Sequence, residues 1–254
     1  MSLTAVVLAG SRPDRDAFAE QFGTELKALI PVGGEPMVRR PVGALLESSE
    51  IGKVLVLSQS PERIAAALPP DARIEVRSSR GTIAETILAL IDDPATSWPL
   101  LVTTADHALL APGMVDEFVA AAAGNDVAIG VVEQANLMRR FPDAKRTWQR
   151  FRGGAFTGAN LFFLRSPNVR RAVELWRSVE QDRKKALRVV AVLGPATLAL
   201  TAMRLISVDE VLGKLGQRLG LRVKAVRLSD PLAGVDVDKA EDHALVEAIL
   251  AGKA

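Results

Sequence analysis

Short apolar runs alternate with longer amphipathic stretches along most of the chain, and this alternation constrains the fold more than any other feature. Apolar runs of this length predict buried strands, and apolar residues at helical spacing between them predict helices. Strands separated by helices predict βαβ units and therefore a mainly parallel sheet. The predicted strands are Leu3–Ala9, Lys53–Ser58, Arg73–Arg77, Leu100–Thr104, Asp126–Val132, Asn160–Leu164 and Arg222–Arg227.

Prolines mark the starts of several predicted helices, where the missing backbone N–H costs nothing. No repeat or linker interrupts the pattern in the 254 residues, so we expect a single domain over 1–254. Its less regular part, from about 134 to 219, is expected to be an elaboration of the domain on the side of a second substrate, the acceptor. The predicted helices are Pro36–Ser48, Pro61–Ala67, Thr82–Ile91, Pro112–Ala123, Pro167–Glu180, Val208–Leu219 and Lys239–Leu250.

The composition excludes several kinds of site. The chain has no cysteine, which excludes disulfides, thiolate metal sites and cysteine nucleophiles. Its two histidines, His107 and His243, are too few for a three-histidine zinc site. The net charge of +2 gives no indication of a nucleic-acid partner. The N-terminus lacks a signal-peptide pattern, and the apolar run Val189–Met203 is shorter than the ~20 residues of a membrane span, so we expect a cytoplasmic protein.

A basic segment, Arg165–Arg188, precedes that apolar run. One interpretation is a solvated face followed either by a core helix or by a helix at the interface of a homodimer. The other is a weak contact with an anionic membrane surface. The sequence leaves both interpretations open.

A turn of small residues follows the first predicted strand, at Gly10 and Ser11, and the cations Arg12 and Lys27 come after it. Gly10 lets the backbone approach a ligand closely, and consecutive N–H groups in such a turn form an anion-binding concavity. The two cations add charge for phosphate oxygens. The stretch matches neither the P-loop nor the dinucleotide-binding fingerprint. It is therefore either a phosphate site of another kind or a tight turn with two solvated cations.

Two segments, "LAGSR" and "KALIPVGGEPM", resemble signatures of the MobA-like branch of the NTP-transferase superfamily. They depart from the usual pattern by a shorter loop and by an insertion before Lys27. The resemblance implies a three-layer α/β/α sandwich, a Rossmann-like fold of the GT-A type with a mainly parallel sheet. It also implies that Arg12 and Lys27 are catalytic and neutralise charge on the NTP. The loop residues that it implies for nucleotide binding are Leu8, Ala9, Gly10 and Ser11.

Carboxylates for a metal are expected at two places. Asp106 follows the predicted strand Leu100–Thr104, where a carboxylate can hold Mg²⁺, and the resemblance implies a metal-binding aspartate there. The late segment "GVDVDKAEDHALVEAIL" resembles an element that ends many of these enzymes, and its alternation puts Asp236 and Asp238 on one face. We favour Asp236 for Mg²⁺ or Mn²⁺, with Asp238 as a helix cap or alternative ligand. Capping roles for all three aspartates remain the alternative.

The segment "RSSRGTIAETILAL" follows the third predicted strand. Serine, glycine and threonine at a helix start can contact a base edge, and the resemblance implies a nucleobase contact here. Thr82 and Glu85 also form a capping-box pattern, so an ordinary helix N-terminus is an alternative that is compatible with base binding. The candidates are Ser78, Ser79, Gly81 and Thr82.

The segment "KRTWQRFRGGAFTGANLFFL" carries four cations and three glycines before an apolar strand. This mixture is typical of a flexible loop that closes on a phosphorylated acceptor, and we expect Lys145–Gly158 to order only when the acceptor binds. A basic surface loop with a half-buried tryptophan is the alternative. The candidate acceptor residues, three of them implied by the resemblance, are Arg152, Thr157, Gly158 and Asn160.

Together these features predict a Mg²⁺-dependent nucleotidyltransferase. It would transfer NMP from an NTP to a phosphorylated small molecule and release pyrophosphate, and CTP and GTP are the NTPs we expect first. Such chemistry depends on positioning and electrostatics, which suits a chain that offers no nucleophile of its own. A GT-A glycosyltransferase that uses a nucleotide-sugar is one alternative, although it would not need the Arg12 and Lys27 cradle. A non-catalytic nucleotide-binding relative is the other, although it would not need both carboxylate sites.

Overall fold

The computed structural model describes residues 2–10, 16–79, 81–142, 144, 146–180 and 193–253. Ser11 and Arg12, which the sequence predicts to cradle the NTP, lie outside the described residues, and so does Lys145. In the part of the chain that is described, no helix is both long and apolar enough to cross a membrane.

A central sheet organises the molecule, with the strand order β10-β7-β9-β6-β1-β4-β5 and with β8 paired to β9. Neighbours β6, β1, β4 and β5 are parallel, and so are β7 and β10, whereas β9 runs antiparallel between β6 and β7. The predicted mainly parallel sheet is thus confirmed. The strands are β1 (Leu3–Leu8), β2 (Pro31–Val32), β3 (Glu35–Pro36), β4 (Ile51–Ser58), β5 (Ile74–Ser78), β6 (Leu100–Thr104), β7 (Val127–Glu133), β8 (Gln149–Phe151), β9 (Gly154–Leu164) and β10 (Val223–Arg227).

Helices cover both faces of this sheet, and short 3₁₀ turns lie at Lys27–Leu29, Pro167–Val169 and Pro231–Gly234. Two of the helices begin at the predicted prolines Pro61 and Pro112, whereas Pro36 lies in β3 and Pro167 begins a 3₁₀ turn. The α-helices are α1 (Ala17–Glu20), α2 (Arg39–Glu47), α3 (Pro61–Ala67), α4 (Ile83–Asp92), α5 (Pro112–Ala122), α6 (Gln134–Arg140), α7 (Arg170–Glu180), α8 (Pro195–Ala202), α9 (Val208–Leu219) and α10 (Ala240–Leu250).

Alternate residues of the strands enter two separate hydrophobic cores. In β1, Ala5 and Val7 belong to the larger core, which includes buried residues of α2, α5 and α10. Val6, between them, belongs to the second core, which includes buried residues of α4 and α7. Since successive side chains of a strand point to opposite faces, the sheet lies between two helical layers. This is the predicted three-layer α/β/α sandwich.

The carboxyl ends of the parallel strands are joined by backbone hydrogen bonds just past the ladder. The N–H of Ala105 donates to the carbonyl of Leu8 at 3.0 Å, and that of Ala9 donates to Leu57 at 2.9 Å. The segments that follow β1, β4 and β6 therefore start from one rigid edge. In open α/β sheets this is the edge at which ligands bind.

The segment 146–158 is more regular than the flexible loop that the sequence predicts. Strand β8 pairs with the start of β9 across a turn at Gly153, where φ is +91°. Arg146 forms ion pairs with Asp236 and Asp242, and Arg152 forms one with Glu210. Two of the four cations in 145–158 are therefore already paired with carboxylates of the chain.

Candidate active site

Lys27 begins a 3₁₀ turn that leads into the small β2–β3 hairpin. The N–H of Met37 donates to the carbonyl of Ile30 at 2.9 Å, which closes the hairpin on itself. Ile30, Val32 and Met37 are fully buried. This packing fixes the backbone of Lys27 beside the carboxyl edge of the sheet, although the side chain itself stays partly open to solvent.

The ammonium group of Lys27 lies between two carboxylates. Its Nζ is 2.6 Å from Asp106 Oδ2 and 2.5 Å from Asp238 Oδ1. The Asp106 side chain is 18% exposed and the Asp238 side chain 59%. Burial by itself would lower the pKa of Lys27, but the two carboxylates outweigh it and raise the pKa above the ordinary value. Lys27 is therefore a fixed positive charge at this edge.

Asp106 follows β6, and its backbone holds the late segment of the chain in place. The N–H of Val237 donates to the carbonyl of Asp106 at 3.0 Å. The hydroxyl of Thr104 donates to the other carboxylate oxygen of Asp106, Oδ1. Two stretches far apart in sequence are thus joined at one point, which brings the carboxylate of Asp238 opposite that of Asp106.

Asp236, the aspartate favoured for the metal, has different partners. Its Oδ1 pairs with the guanidinium of Arg146, and its Oδ2 accepts a hydrogen bond from Asn160 Nδ2 at 3.3 Å. Burial raises the pKa of the Asp236 carboxyl, and the charge of Arg146 opposes that rise. Sequence reasoning missed Arg146, because one arginine among several in a predicted surface loop gives no sign of burial.

Asp106 and Asp238 provide the kind of ligand that Mg²⁺ uses in proteins. Both carboxylates converge on one point, now taken by Lys27 Nζ. Mg²⁺ commonly uses one or two carboxylates and takes its other oxygens from water and substrate phosphates. Among the described residues, no three Asp, Glu or His side chains form a group that could hold a metal. A metal at this pair of carboxylates would therefore need phosphate oxygens as further ligands.

His107, next to Asp106, is buried and has few polar partners. Its Nδ1 lies 3.4 Å from Thr103 Oγ1, and its Nε2 has no partner among the described residues. Burial lowers the pKa of His107 to about 4, although the charge of Asp106 acts in the other direction. The ring is therefore neutral at physiological pH, and its burial fits a role in shaping the turn after β6.

The loop after β1 and the start of α4 are the candidate nucleotide side. A Cβ on Gly10 would lie 2.9 Å from Gln59 Nε2, so a larger residue would displace a neighbour. Ser78 ends β5, and the buried Ser79 donates its N–H to the carbonyl of Ser58 at 2.8 Å. The positions of these residues, at one edge of the sheet, suit a bound nucleotide.

Thr82 forms the capping box that its sequence pattern predicts. Its hydroxyl accepts a hydrogen bond from Glu85 N, and its own N–H donates to Glu85 Oε2 at 2.8 Å. Gly81 has φ of +84°, which a larger residue would adopt only with strain. The carboxylate of Glu180 accepts hydrogen bonds from the N–H groups of Ile83 and Ala84, each at 3.1 Å. The first turn of α4 is thus already held by side chains.

The candidate acceptor residues separate into two groups. Thr157, Gly158 and Asn160 all belong to β9, and Asn160 adopts a left-handed φ of +48° at the irregularity in the β7–β9 pairing. Asn160 reaches the carboxylate cluster through Asp236. Arg152 instead pairs with Glu210 at 2.7 Å, at the start of α9. Within the described residues, its contacts do not include the three aspartates of the site.

A family model described as the MobA-like NTP transferase domain matches residues 5–205 of the chain. A solved structure described as a hypothetical transferase from Thermus thermophilus is 31% identical, with a TM-score of 0.81, and the match covers 96% of this chain and 100% of that chain. No match was found among the curated proteins.

Two more distant structures share the fold. The 4-diphosphocytidyl-2C-methyl-D-erythritol synthase of Anaerococcus prevotii is 14% identical with a TM-score of 0.61, over 98% of this chain and 96% of that chain. The 2-C-methyl-D-erythritol 4-phosphate cytidylyltransferase of Thermus thermophilus is 16% identical with a TM-score of 0.51, over 99% of this chain and 100% of that chain. At these identities the likeness concerns the fold alone.

Proposed function

The chain belongs to the MobA-like NTP transferase family, and from this premise we propose that it transfers NMP from an NTP to a phosphorylated small molecule. An oxygen of the acceptor phosphate attacks the α-phosphorus. The bond from that phosphorus to the oxygen bridging the α- and β-phosphates breaks, and pyrophosphate leaves with the electron pair. We propose CTP or GTP as the NTP.

The observation that carries this proposal is the position of Lys27 between Asp106 and Asp238 at the carboxyl edge of the sheet. A cation and two carboxylates at one point are the groups that phosphoryl transfer requires for positioning and charge stabilisation. In the reaction Lys27 donates to oxygens of the α-phosphate and neutralises the charge that develops there. Arg12, outside the described residues, is proposed for the same task on the strength of the family.

We propose that Asp106 and Asp238 hold Mg²⁺ or Mn²⁺ in the complex with the NTP, since their carboxylates converge on one point, whereas the carboxylate of Asp236 pairs with the buried Arg146 and with Asn160. The bound metal would supply positive charge to the phosphate oxygens. We propose Leu8, Ala9, Gly10 and Ser11 for the triphosphate, on the strength of the family, and Ser78, Ser79, Gly81 and Thr82 for the base. Thr157, Gly158, Asn160 and Arg152 stay candidates for the acceptor.

Pyrophosphate release tests the proposal. The full chain is incubated with each NTP, Mg²⁺ and a panel of sugar, polyol and cofactor-precursor phosphates, and the expected result is acceptor-dependent release with one NTP preferred. Asp106→Asn should abolish turnover while the unfolding transition persists. Asp116→Asn, on α5 and bonded to Ser48, is the matched control. Near-normal turnover of Asp106→Asn at saturating Mg²⁺ would contradict the mechanism.

A further inference from the structure

Arg146 is the most deeply buried cation of the candidate site, and the proposed mechanism gives it no task. Its side chain is 8% exposed, whereas those of the arginines that pair with Glu210 and Asp92 are 59% and 39% exposed. A buried guanidinium is costly unless carboxylates and hydrogen bonds compensate its charge. The hydrogen-bond and ion-pair partners of Arg146 therefore indicate its role.

Arg146 binds the Asp236–Asp238 segment from one side. Its guanidinium pairs with Asp236 Oδ1 and donates to the backbone carbonyl of Asp236 at 3.2 Å. Its Nη2 is also 3.3 Å from Asp242 Oδ1. The other oxygen of Asp242 accepts a hydrogen bond from the N–H of Asp238, at 3.3 Å. One guanidinium thus fixes the backbone on both sides of Val237.

The carboxylates of the two candidate metal ligands, Asp236 and Asp238, are left in different states by these contacts. Both carboxylate oxygens of Asp236 are engaged, one by Arg146 and the other by Asn160. Asp238, two residues on, has its carboxylate at Lys27 and is 59% exposed. Fixing the backbone between them determines which aspartate faces Asp106.

We propose that Arg146 is a positioning residue that engages Asp236 as an anchor and thereby presents Asp238 to the metal opposite Asp106. The inference rests on the proposed function, because it assumes that a divalent metal binds at this edge. It extends that function by assigning the ligand roles of Asp236 and Asp238. It also connects the segment before β8, on the acceptor side, to the metal carboxylates.

Mn²⁺ binding to the full chain in the presence of a non-hydrolysable NTP analogue tests the proposal without turnover, by electron paramagnetic resonance. Arg146→Met should weaken Mn²⁺ affinity by about 10- to 100-fold, the usual cost of losing a group that orients a metal ligand. Arg139→Met, an exposed arginine on α6 bonded to Asn136, is the matched control and should bind Mn²⁺ as the unmodified protein does.

The assignment of Asp238 rather than Asp236 as the metal ligand is tested by comparing the asparagine variant of each. Asp238→Asn should weaken Mn²⁺ affinity more than Asp236→Asn, because only the first removes the negative charge of a ligand. Arg146→Lys retains the charge and is the variant to use if Arg146→Met does not fold. It should bind Mn²⁺ more weakly than the unmodified protein, since an ammonium cannot bridge Asp236 and Asp242 as a guanidinium does.

The inference is overturned if both Arg146 variants bind Mn²⁺ as tightly as Arg139→Met, or if Asp236→Asn is at least as damaging as Asp238→Asn. Failure of the proposed function looks different. In that case the unmodified protein releases no pyrophosphate with any NTP and acceptor, whereas the order of Mn²⁺ affinities among the variants still decides the role of Arg146.

Discussion

At the scale of single residues, the site depends on how charges are compensated. Lys27 has a carboxylate on each side, so removing it leaves Asp106 and Asp238 facing each other without a cation. Arg146 has the same relation to Asp236 and Asp242 in a more buried place. Each cation is matched by two carboxylates, and each pair includes one aspartate of the Asp236–Asp238 segment.

Replacing Lys27 by alanine is expected to lower kcat by about two to three orders of magnitude, the range for losing one charged contact to the transition state. Steady-state pyrophosphate release measures the effect. Lys53→Ala, which removes a half-buried lysine paired with Glu75, is the control and should retain activity. Equal rates for the two variants would place the phosphate site elsewhere.

His107 makes stability depend on pH. Its pKa is about 4 in the folded protein, because burial disfavours the charged ring, and 6.5 in the unfolded chain. The unfolded state therefore binds more protons between these values, so stability falls as pH drops from 6.5 to 4. At about 1.4 kcal/mol per pKa unit the loss is about 3 kcal/mol. Urea unfolding of the metal-free protein at several pH values should show this loss, and His107→Gln should show less of it. An unchanged slope in the variant would contradict the prediction.

The sequence identified Lys27, Asp106 and Asp238 as candidates, and in the structure their side chains are in contact. It could not show that Asp238 rather than Asp236 meets Lys27, since alternation puts both on one face of an extended segment. That distinction comes from Arg146 and Asn160, which reach Asp236 from distant parts of the chain. Long-range partners of this kind leave no trace in local spacing.

At the scale of elements, the alternation pattern located seven strands of the central sheet. Their ends differ from the prediction by at most two residues, except in β9, which begins at Gly154 rather than Asn160. It missed the short elements α1, β2 and β3, the strand β8, which contains two polar residues, and α6, which follows β7 without a turn signal. It also began α2 at Pro36, although Gly33 and Gly34, with φ of +62° and +82°, make a hairpin that delays the helix to Arg39. The missed elements are those whose formation depends on pairing or packing rather than on periodicity.

Two helices, α4 and α9, begin with the same capping box, at Thr82 and Ser207. Losing the capping hydroxyl should cost about 1 kcal/mol in each case. Thr82→Ala should in addition weaken NTP binding, because Thr82 is proposed to lie at the base, whereas Ser207→Ala should only destabilise. Urea midpoints and the KM for NTP measure the two effects. An unchanged KM in Thr82→Ala would confine that residue to the cap.

At the scale of the whole molecule, the late part of the chain contributes both to the central sheet and to the candidate site. Strand β10 joins the sheet beside β7, and Asp238 meets Lys27. Helix α10 holds the β2–β3 turn: the N–H of Gly33 donates to Glu247 Oε1 at 2.7 Å, and Nε2 of His243 lies 2.7 Å from the carbonyl of Pro31. A single domain over 1–254 remains our prediction, and these contacts favour it.

The division of the hydrophobic residues between two faces of one sheet gives each face its own fluorophore. Trp148 packs against the larger core, whereas Trp98 and Trp176 pack against the second. Emission from proteins that keep only Trp148 or only Trp176, with the other tryptophans replaced by phenylalanine, therefore reports each face separately. Because the same strands line both cores, we expect each protein's emission and its far-ultraviolet circular dichroism to give one urea midpoint. A tryptophan signal that changed before the circular dichroism would mean that one helical layer leaves the sheet while the other stays.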